Sequence, residues 1–102
     1  MQALRFFLDT HDREHGTFPA ELSVTDFEGF YPQYEQACLA EGVIPIRTHV
    51  DYAGGKAFCL NMAPDIESVQ RAHARVGLPF DDICEVTTAT PSDTFLRRPA
   101  KA

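Results

Sequence analysis

The sequence predicts a small α+β domain whose strands and helices follow one another in the order βαββαβ. Short runs of alternating apolar and polar residues are typical of strands, two segments carry apolar residues at helical spacing, and a Gly-Gly pair separates two strands. For a chain of 102 residues one hydrophobic core is expected. We place it in a single domain over residues 1–90, and we predict that residues 91–102, which lack periodicity, form a C-terminal tail.

The first strand is predicted over residues 3–9 and is followed by an unusually long loop over residues 10–22. Loops of this length in a compact domain often have a function. Thr25-Asp26-Phe27-Glu28 has the spacing of a capping box, so a helix should follow. Pro32 predicts a kink there, or the start of a second helix. The inner stripe of this helix is expected to contain Phe27, Phe30, Tyr31, Tyr34 and Cys38.

The second half of the domain is predicted to contain a hairpin, a helix and a last strand. Residues 43–52 and 56–63 alternate and are joined by Ala53-Gly54-Gly55, which favours a hairpin with Tyr52 opposite Lys56. Asp65 is the expected N-cap of the second helix. The last strand is predicted over residues 82–90. Its facing is ambiguous, but an inward Val86 leaves Glu85 and Thr87 on the opposite side. The inner positions of the second helix are expected to be Ile66, Val69, His73 and Val76.

Right-handed crossovers arrange this element order as a ferredoxin-like sandwich, with an antiparallel sheet in the order 4-1-3-2 and both helices on one face. The other face of the sheet is uncovered in a monomer. We therefore expect two copies to pair sheet to sheet as a homodimer, a dimeric α+β barrel. The uncovered face is predicted to carry Arg5, Phe7, Asp9, Arg47, His49, Cys59, Asn61 and Glu85.

The composition excludes two classes of partner. Fifteen acidic against nine basic residues give a net charge of −6, whereas phosphate recognition needs a basic face, so no nucleic-acid partner is expected. No window approaches the roughly 20 apolar residues of a membrane span, so no membrane partner is expected either. Three cysteines, an odd number without a CxxC pair, favour a reducing, cytoplasmic environment.

The predicted topology gathers histidine, thiol and carboxylate groups at one edge of the sheet. Pairing Tyr52 with Lys56 places His49 opposite Cys59, and directly opposed side chains have Cβ atoms roughly 5 Å apart. Imidazole, thiolate and carboxylate together suit nickel, zinc, cobalt or copper, not calcium or magnesium. The sequence therefore predicts a site for nickel or another divalent transition metal, with the candidate ligands His49, Cys59, His11, Asp9, His73 and Glu85.

Three of these residues also have a purely structural interpretation, whereas His49, a histidine in mid-strand on an open face, needs a polar partner. His73 lies on an apolar helix stripe, where it can be a hydrogen-bonded core histidine. His11 can form a turn hydrogen bond within Thr10-His11-Asp12. Cys59 can be a small buried hydrophobic residue, which is the interpretation that we give to Cys38 and Cys84.

Several segments, together spanning residues 3–90, resemble a known family. These are residues 7–12, 16–19, 47–50, 58–65 and 73–80, and the most specific run extends from Phe58-Cys59 through His73 to Glu85-Val86. They are similar to the small nickel-binding ferredoxin-like proteins, long catalogued as a domain of unknown function. The resemblance implies a dimer with facing sheets and bound nickel in at least one relative, and it carries a nickel role chiefly to His49, Cys59 and His73.

Three functions are compatible with the sequence. The first is a small, non-catalytic metal-binding protein that buffers or senses a nickel-like ion. The second is a cofactor-free enzyme or small-molecule binder whose pocket lies between facing sheets or under the 10–22 loop. In it Arg47 holds a ligand carboxylate, and His49 is a general base with Cys59 or Glu85 as its partner. The candidate ligand-binding residues are then Arg47, His49, Arg5 and Asn61. The third is an interaction module whose open sheet face only mediates dimerisation.

Overall fold

A computed structural model describes residues 3–89 and shows the predicted element order. The four strands form one antiparallel sheet in the order β2-β3-β1-β4, which is the predicted order counted from the other edge. The predicted tail lies outside the described residues. None of the helices between residues 3 and 89 is long and apolar enough to cross a membrane. The elements are β1 (Arg5–Asp12), a 3-10 turn (Arg13–His15), α1 (Val24–Ala40), β2 (Ile44–Asp51), β3 (Lys56–Ala63), α2 (Ile66–Arg75) and β4 (Asp82–Val86).

Local hydrogen bonds fix where the two helices begin. The N-cap of α1 is Ser23, two residues before the predicted Thr25. Ser23 and Asp26 form a capping box, in which Ser23 Oγ accepts from the amide of Asp26 and the Asp26 carboxylate accepts from the amide of Ser23. No second helix begins at Pro32, since α1 continues through it with Tyr34 and Cys38 buried beyond it. Asp65 caps α2 as predicted, and its carboxylate accepts from the amide of Ser68 at 2.8 Å.

The core lies between the two helices and one face of the sheet. Tyr34 and Cys38 of α1 and Val69 of α2 are almost fully buried, as their helical spacing predicted. Cys84 is exposed, so its interpretation as a buried residue is wrong. The buried residues of this core are Phe7, Tyr34, Cys38, Val43, Ala63, Val69, Ala72 and Ile83.

The prediction for the two faces of the sheet is wrong for β1 and β3. Phe7, Asp9 and His11 point from β1 toward the helices and are at most 4% exposed. Cys59 and Asn61 of β3 pair with Asp9 and Phe7 and share their buried face. A polar cluster whose members hydrogen-bond one another can occupy a buried face. The more apolar set, Phe6, Leu8, Phe58, Leu60 and Met62, consequently lies on the face without helices.

The hairpin register differs from the prediction by one residue, and this moves His49 to the other face. Lys56 pairs with Asp51, so that Thr48 lies opposite Cys59 and His49 lies opposite Phe58. Since side chains alternate along a strand, a shift of one residue exchanges their faces. The cause is a longer turn, in which the amide of Gly55 donates to Asp51 O at 2.8 Å and Gly55 has a φ of 69°.

β4 is shorter than predicted and differs in its facing. Ile83 lies opposite Asp9 and is the residue of β4 that is buried in the core, while Glu85 lies opposite Phe7. Val86 pairs with Phe6 on the face without helices, so its predicted inward position is wrong.

Candidate metal centre

Three side chains from two elements converge on one buried point beneath α2. Asp9 and His11 come from alternate positions of β1, and His73 comes from the last turn of α2. His11 Nε2 lies 2.7 Å and His73 Nε2 lies 3.2 Å from the same oxygen, Asp9 Oδ1. All three side chains are nearly inaccessible to solvent, with Asp9 at 0% and His73 at 1% exposure. Both imidazoles therefore direct the same ring nitrogen at one carboxylate oxygen.

Backbone carbonyl groups fix the tautomer of both imidazoles. His11 Nδ1 lies 2.7 Å from Pro79 O, with Thr17 O at 3.3 Å, and His73 Nδ1 lies 2.8 Å from Val69 O. Because a carbonyl oxygen only accepts hydrogen bonds, both Nδ1 atoms carry the proton and donate it. In the neutral form of each ring, the lone pair is consequently on Nε2 and faces Asp9.

This arrangement needs a proton or a metal ion between Asp9 and each imidazole nitrogen. Two Nε2 lone pairs and a carboxylate are all acceptors, and acceptors do not approach to these distances unless a proton or a metal ion lies between them. Burial opposes ionisation of Asp9, but hydrogen bonds from His11 and His73 outweigh it and lower the pKa of Asp9. Burial likewise disfavours the imidazolium, yet the hydrogen bond to Asp9 raises the pKa of His11. The centre thus favours a carboxylate facing positive charge.

A second set of contacts holds the carboxylate and rings in place. Asn61 Nδ2 donates to Asp9 Oδ2 at 2.9 Å, and the Tyr34 hydroxyl donates to Asn61 Oδ1 at 3.3 Å. The rings of His11 and His73 stack with centroids 5.6 Å apart, and Phe80 packs edge-on against His73 at 5.1 Å. In protein metal sites, a ligating imidazole usually donates its other N–H to a carbonyl group, and a ligating carboxylate usually accepts a hydrogen bond from a neighbouring group. The surroundings of Asp9, His11 and His73 fit that pattern.

Cys59 borders this centre from β3. Its Sγ lies 3.9 Å from His11 Nε2 and accepts a long, 3.5 Å hydrogen bond from the Thr48 hydroxyl. Burial, and then the charge of Asp9, raise the pKa of the Cys59 thiol, so it is protonated in the absence of a metal. A coordinated metal ion deprotonates a thiol ligand. The Cys59 sulfur can therefore become a further metal ligand, because binding of the ion displaces the proton of the thiol.

The remaining sequence-predicted residues do not join the centre. His49 and Arg47 lie on the opposite face, beside Phe58 and Leu60, and both are exposed. Glu85 is exposed and forms a 3.2 Å ion pair with Arg5. The alternative ligand-binding set does not form one pocket either, because Asn61 lies beneath the helices while Arg47 and His49 do not.

A second cluster of metal-ligating groups lies at the surface and was not anticipated from the sequence. His15 Nδ1 lies 2.7 Å from Asp81 Oδ2, and Asp12 completes a set whose donor atoms all lie within 4.8 Å of one another. Unlike the first centre, its residues are half-buried or exposed. His15 and Asp81 are 66 residues apart, and their only local signal is the Asp12-x-x-His15 spacing. This cluster is the natural comparison for any test of the buried one.

The donor types of the buried centre suit a borderline transition metal. Two imidazole nitrogens, a carboxylate oxygen and a neighbouring sulfur match the ligands of nickel, zinc, cobalt or copper, whereas calcium and magnesium prefer oxygen alone. Donor atoms that share one such ion at about 2.0–2.2 Å lie about 3 Å apart. The contacts of 2.7 and 3.2 Å between Asp9 and the two imidazoles are close to that separation.

Comparison with known proteins agrees with this chemistry. A family model described as "Nickel responsive protein SCO4226-like" matches residues 7–86. The chain belongs to this family. The SCO4226-like segment contains Asp9, His11, Cys59 and His73, and the resemblance inferred from the sequence is confirmed.

A solved structure supports the same assignment. The SCO4226-like chain is similar to the protein in "Crystal structure analysis of SCO4226 from Streptomyces coelicolor A3(2)", with 27% identity and a TM-score of 0.71. The match covers 83% of this chain and 99% of that one. A search of curated proteins found no significant match.

Proposed function

We propose that this protein binds a divalent transition metal ion, with nickel as the first candidate, through Asp9, His11 and His73. Cys59 supplies sulfur as a fourth donor once its thiol is deprotonated. The observation that carries the proposal is the pair of Nε2 atoms at 2.7 and 3.2 Å from one carboxylate oxygen, with both Nδ1 atoms on backbone carbonyls. The family description, nickel responsive, supports the choice of metal.

The burial of the centre favours buffering or sensing over catalysis. Asp9 and His73 are inaccessible to solvent, and Asn61 occupies the second oxygen of Asp9, so a substrate could reach the ion only from the side of His11 and Cys59, which border a pocket. A closed ligand set is typical of metal sites that store an ion or transmit its presence, whereas catalytic sites keep an open position. The three free cysteines are compatible with a reducing, cytoplasmic location, which we retain as part of the proposal.

The proposed assembly is a homodimer that pairs the helix-free faces of two sheets. This face carries Phe6, Leu8 and Leu60 at its centre, and Phe58 and Ile44 are 39% and 42% exposed. Arg47 and His49 border these apolar residues on the same face. Exposed apolar clusters with a polar border are typical of interaction surfaces, and a twofold axis lets one patch cover its copy. The dimer is independent of the metal centre, which lies on the other side of the sheet.

Metal titrations should distinguish the buried centre from every other histidine. We expect His11→Gln and His73→Gln each to weaken nickel binding at least about 100-fold, because each removes one of the Nε2 donors; loss of a mere supporting contact of a ligand costs 10- to 100-fold. The measurement is calorimetric titration of metal-free protein, made without a histidine tag, with nickel, zinc and cobalt.

Two variants serve as matched controls. His49→Gln removes the exposed histidine of the opposite face, and His15→Gln removes the one in the surface cluster. Both should retain wild-type affinity at the tight site. Absence of saturable uptake in the wild type, or equal losses in His49→Gln and His73→Gln, would contradict the proposal.

Acidification should release the metal at a higher pH than an ordinary histidine would. The proton and the metal compete for Nε2 of His11, and the contact with Asp9 raises the pKa of His11 above its usual 6.5. Below the raised pKa, the nickel affinity should fall about tenfold for each unit by which the pH is lowered, because one proton competes with the ion for His11 Nε2. Nickel titrations between about pH 5 and pH 8, with proton release measured in two buffers of different ionisation enthalpy, check this. An affinity that does not change over this range argues against imidazole ligands.

A further inference from the structure

The segment between β1 and α1 borders a partly open cavity that adjoins the proposed metal centre, since His11 and Cys59 both line it. Its volume is about 390 Å³, and it lies between this segment, the start of α1 and the ends of β2 and β3. By comparison, an apolar cavity of about 150 Å³ is enough to bind benzene. The apolar walls are formed chiefly by Phe18, Leu22, Phe27, Phe30, Val50 and Leu78.

Hydrogen bonds hold the outer wall of this cavity in place. The Thr17 hydroxyl accepts from the amide of Asp12 and donates to the carboxylate of Asp81, both at 2.8 Å. Phe18 follows directly, is only 6% exposed, and has the guanidinium of Arg13 5.6 Å from its ring centroid. The wall is therefore formed before any ligand arrives, and a preformed pocket reduces the entropic cost of binding.

One polar group in the wall lacks a short hydrogen bond. The Thr48 hydroxyl lies 3.4 Å from Tyr31 Oη, whereas hydroxyl–oxygen bonds are usually about 2.7–2.8 Å long, and its other partner is the sulfur of Cys59 at 3.5 Å. His11 also borders the cavity, but both of its ring nitrogens are already engaged. Deep in the cavity a ligand thus meets apolar surface, the Thr48 hydroxyl and the Cys59 thiol, whereas the Thr17 hydroxyl is engaged by Asp12 and Asp81.

The charges that border the cavity disfavour an anion. Glu21 and Asp26 both line it and are exposed, so the fixed charge at its border is negative. The described part of the cavity wall contains no lysine or arginine. Fatty acids and aromatic carboxylates are therefore poor candidates, since their charge has no partner there.

We propose that this cavity binds a small, neutral, largely aromatic molecule of one or two rings, whose single polar atom hydrogen-bonds to Thr48. Binding needs neither the metal nor a chemical step. The ligand's rings replace water against the aromatic walls, and its polar atom completes the hydrogen bonding of the Thr48 hydroxyl.

The test uses 1-naphthol, naphthalene and 1-naphthoate as probes of metal-free protein in the presence of a chelator. We expect 1-naphthol to bind with a dissociation constant on the order of 100 µM, and 1-naphthoate at least about tenfold more weakly. Thr48→Val keeps the shape of the side chain, and it should weaken 1-naphthol about three- to tenfold while leaving naphthalene unchanged. Naphthol fluorescence reports binding directly, because the chain contains no tryptophan.

A second pair of variants tests the location. Val50→Phe fills the cavity and should abolish binding of all probes, whereas Leu39→Phe, an equivalent enlargement at a 63% exposed position of α1, should change nothing. The proposal is overturned if no probe binds at about 1 mM, if Thr48→Val weakens naphthol and naphthalene equally, or if naphthoate binds as well as naphthol. Equal effects of the two phenylalanine variants would overturn it as well.

Discussion

Replacement of Asp9 with alanine should lower the free energy of unfolding of the metal-free protein by about 3–5 kcal/mol, the usual cost of removing one member of a buried ion pair. Asp9 is fully buried and accepts from three side chains, so its loss leaves His11, His73 and Asn61 without their shared partner. Urea unfolding at neutral pH, with a chelator present, measures the change.

Asp9→Asn is the matched variant, because an amide can satisfy the same neighbours without charge. Its oxygen can accept from Asn61, and its NH2 group can donate to the Nε2 atoms of His11 and His73 in their neutral form. We expect this variant to lose less than about 2 kcal/mol of stability, near the cost of an imperfect neutral hydrogen bond, and to lose tight nickel binding. If Asp9→Asn unfolds as readily as Asp9→Ala, the hydrogen-bonding account of the centre is wrong.

The free energy of unfolding should depend on pH differently in the wild type and in Asp9→Asn. The pKa of Asp9 is lowered, so its contribution to stability is present above its ordinary pKa of 3.8 and is lost as the pH falls through the lowered value. The pKa of His11 is raised, so its contribution is full below 6.5 and is lost as the pH rises through the raised value. The stability difference between wild type and Asp9→Asn should therefore be largest between about pH 4 and pH 6.5. A difference that is constant with pH contradicts the assigned charges.

Leu60→Glu should convert the proposed homodimer into a monomer. Leu60 lies in the middle of the helix-free face, between Leu8 on β1 and Arg47 on β2. In a sheet-to-sheet dimer its carboxylate would be buried between Arg47 and the apolar groups of both copies, and the cost of removing the charge from water exceeds the gain from pairing with Arg47. A penalty of about 3 kcal/mol already weakens dimerisation more than 100-fold.

Sedimentation equilibrium of the wild type and two variants tests this expectation. Leu39→Glu adds the same charge to an exposed position of α1, away from the sheet, and should leave the dimer unchanged. A wild type that is monomeric at about 100 µM, or a Leu60→Glu variant that associates as the wild type does, would contradict the proposed interface.

The order of the elements could be predicted because it depends on local patterns. Asp65 ahead of α2, the apolar stripe of Tyr34 and Cys38, and the Gly-Gly pair each act within a few residues. Which face of the sheet the helices cover could not be predicted, because β1 and β3 carry apolar residues on both faces. Alternation assigned the more apolar face to the core, whereas in the structure the helices cover the face that contains the hydrogen-bonded Asp9, His11 and Asn61.

The candidate site was predicted in part for the same reason. Asp9, Cys59 and His11 were recognised as neighbours because antiparallel pairing of β1 with β3 follows from the topology, and His73 reaches them from the end of α2. His49 was misplaced because its face depends on whether Tyr52 belongs to the strand or to the turn, which one residue decides. Buried polar groups at a functional site are where pattern-based prediction is expected to fail.

The most direct test of the metal centre is anomalous X-ray scattering at the nickel edge, from crystals of untagged protein grown with nickel. The account predicts a peak within bonding distance of His11 Nε2, His73 Nε2 and the Asp9 carboxylate. A peak only at Asp12, His15 and Asp81, a peak beside His49, or no peak at saturating nickel would contradict it.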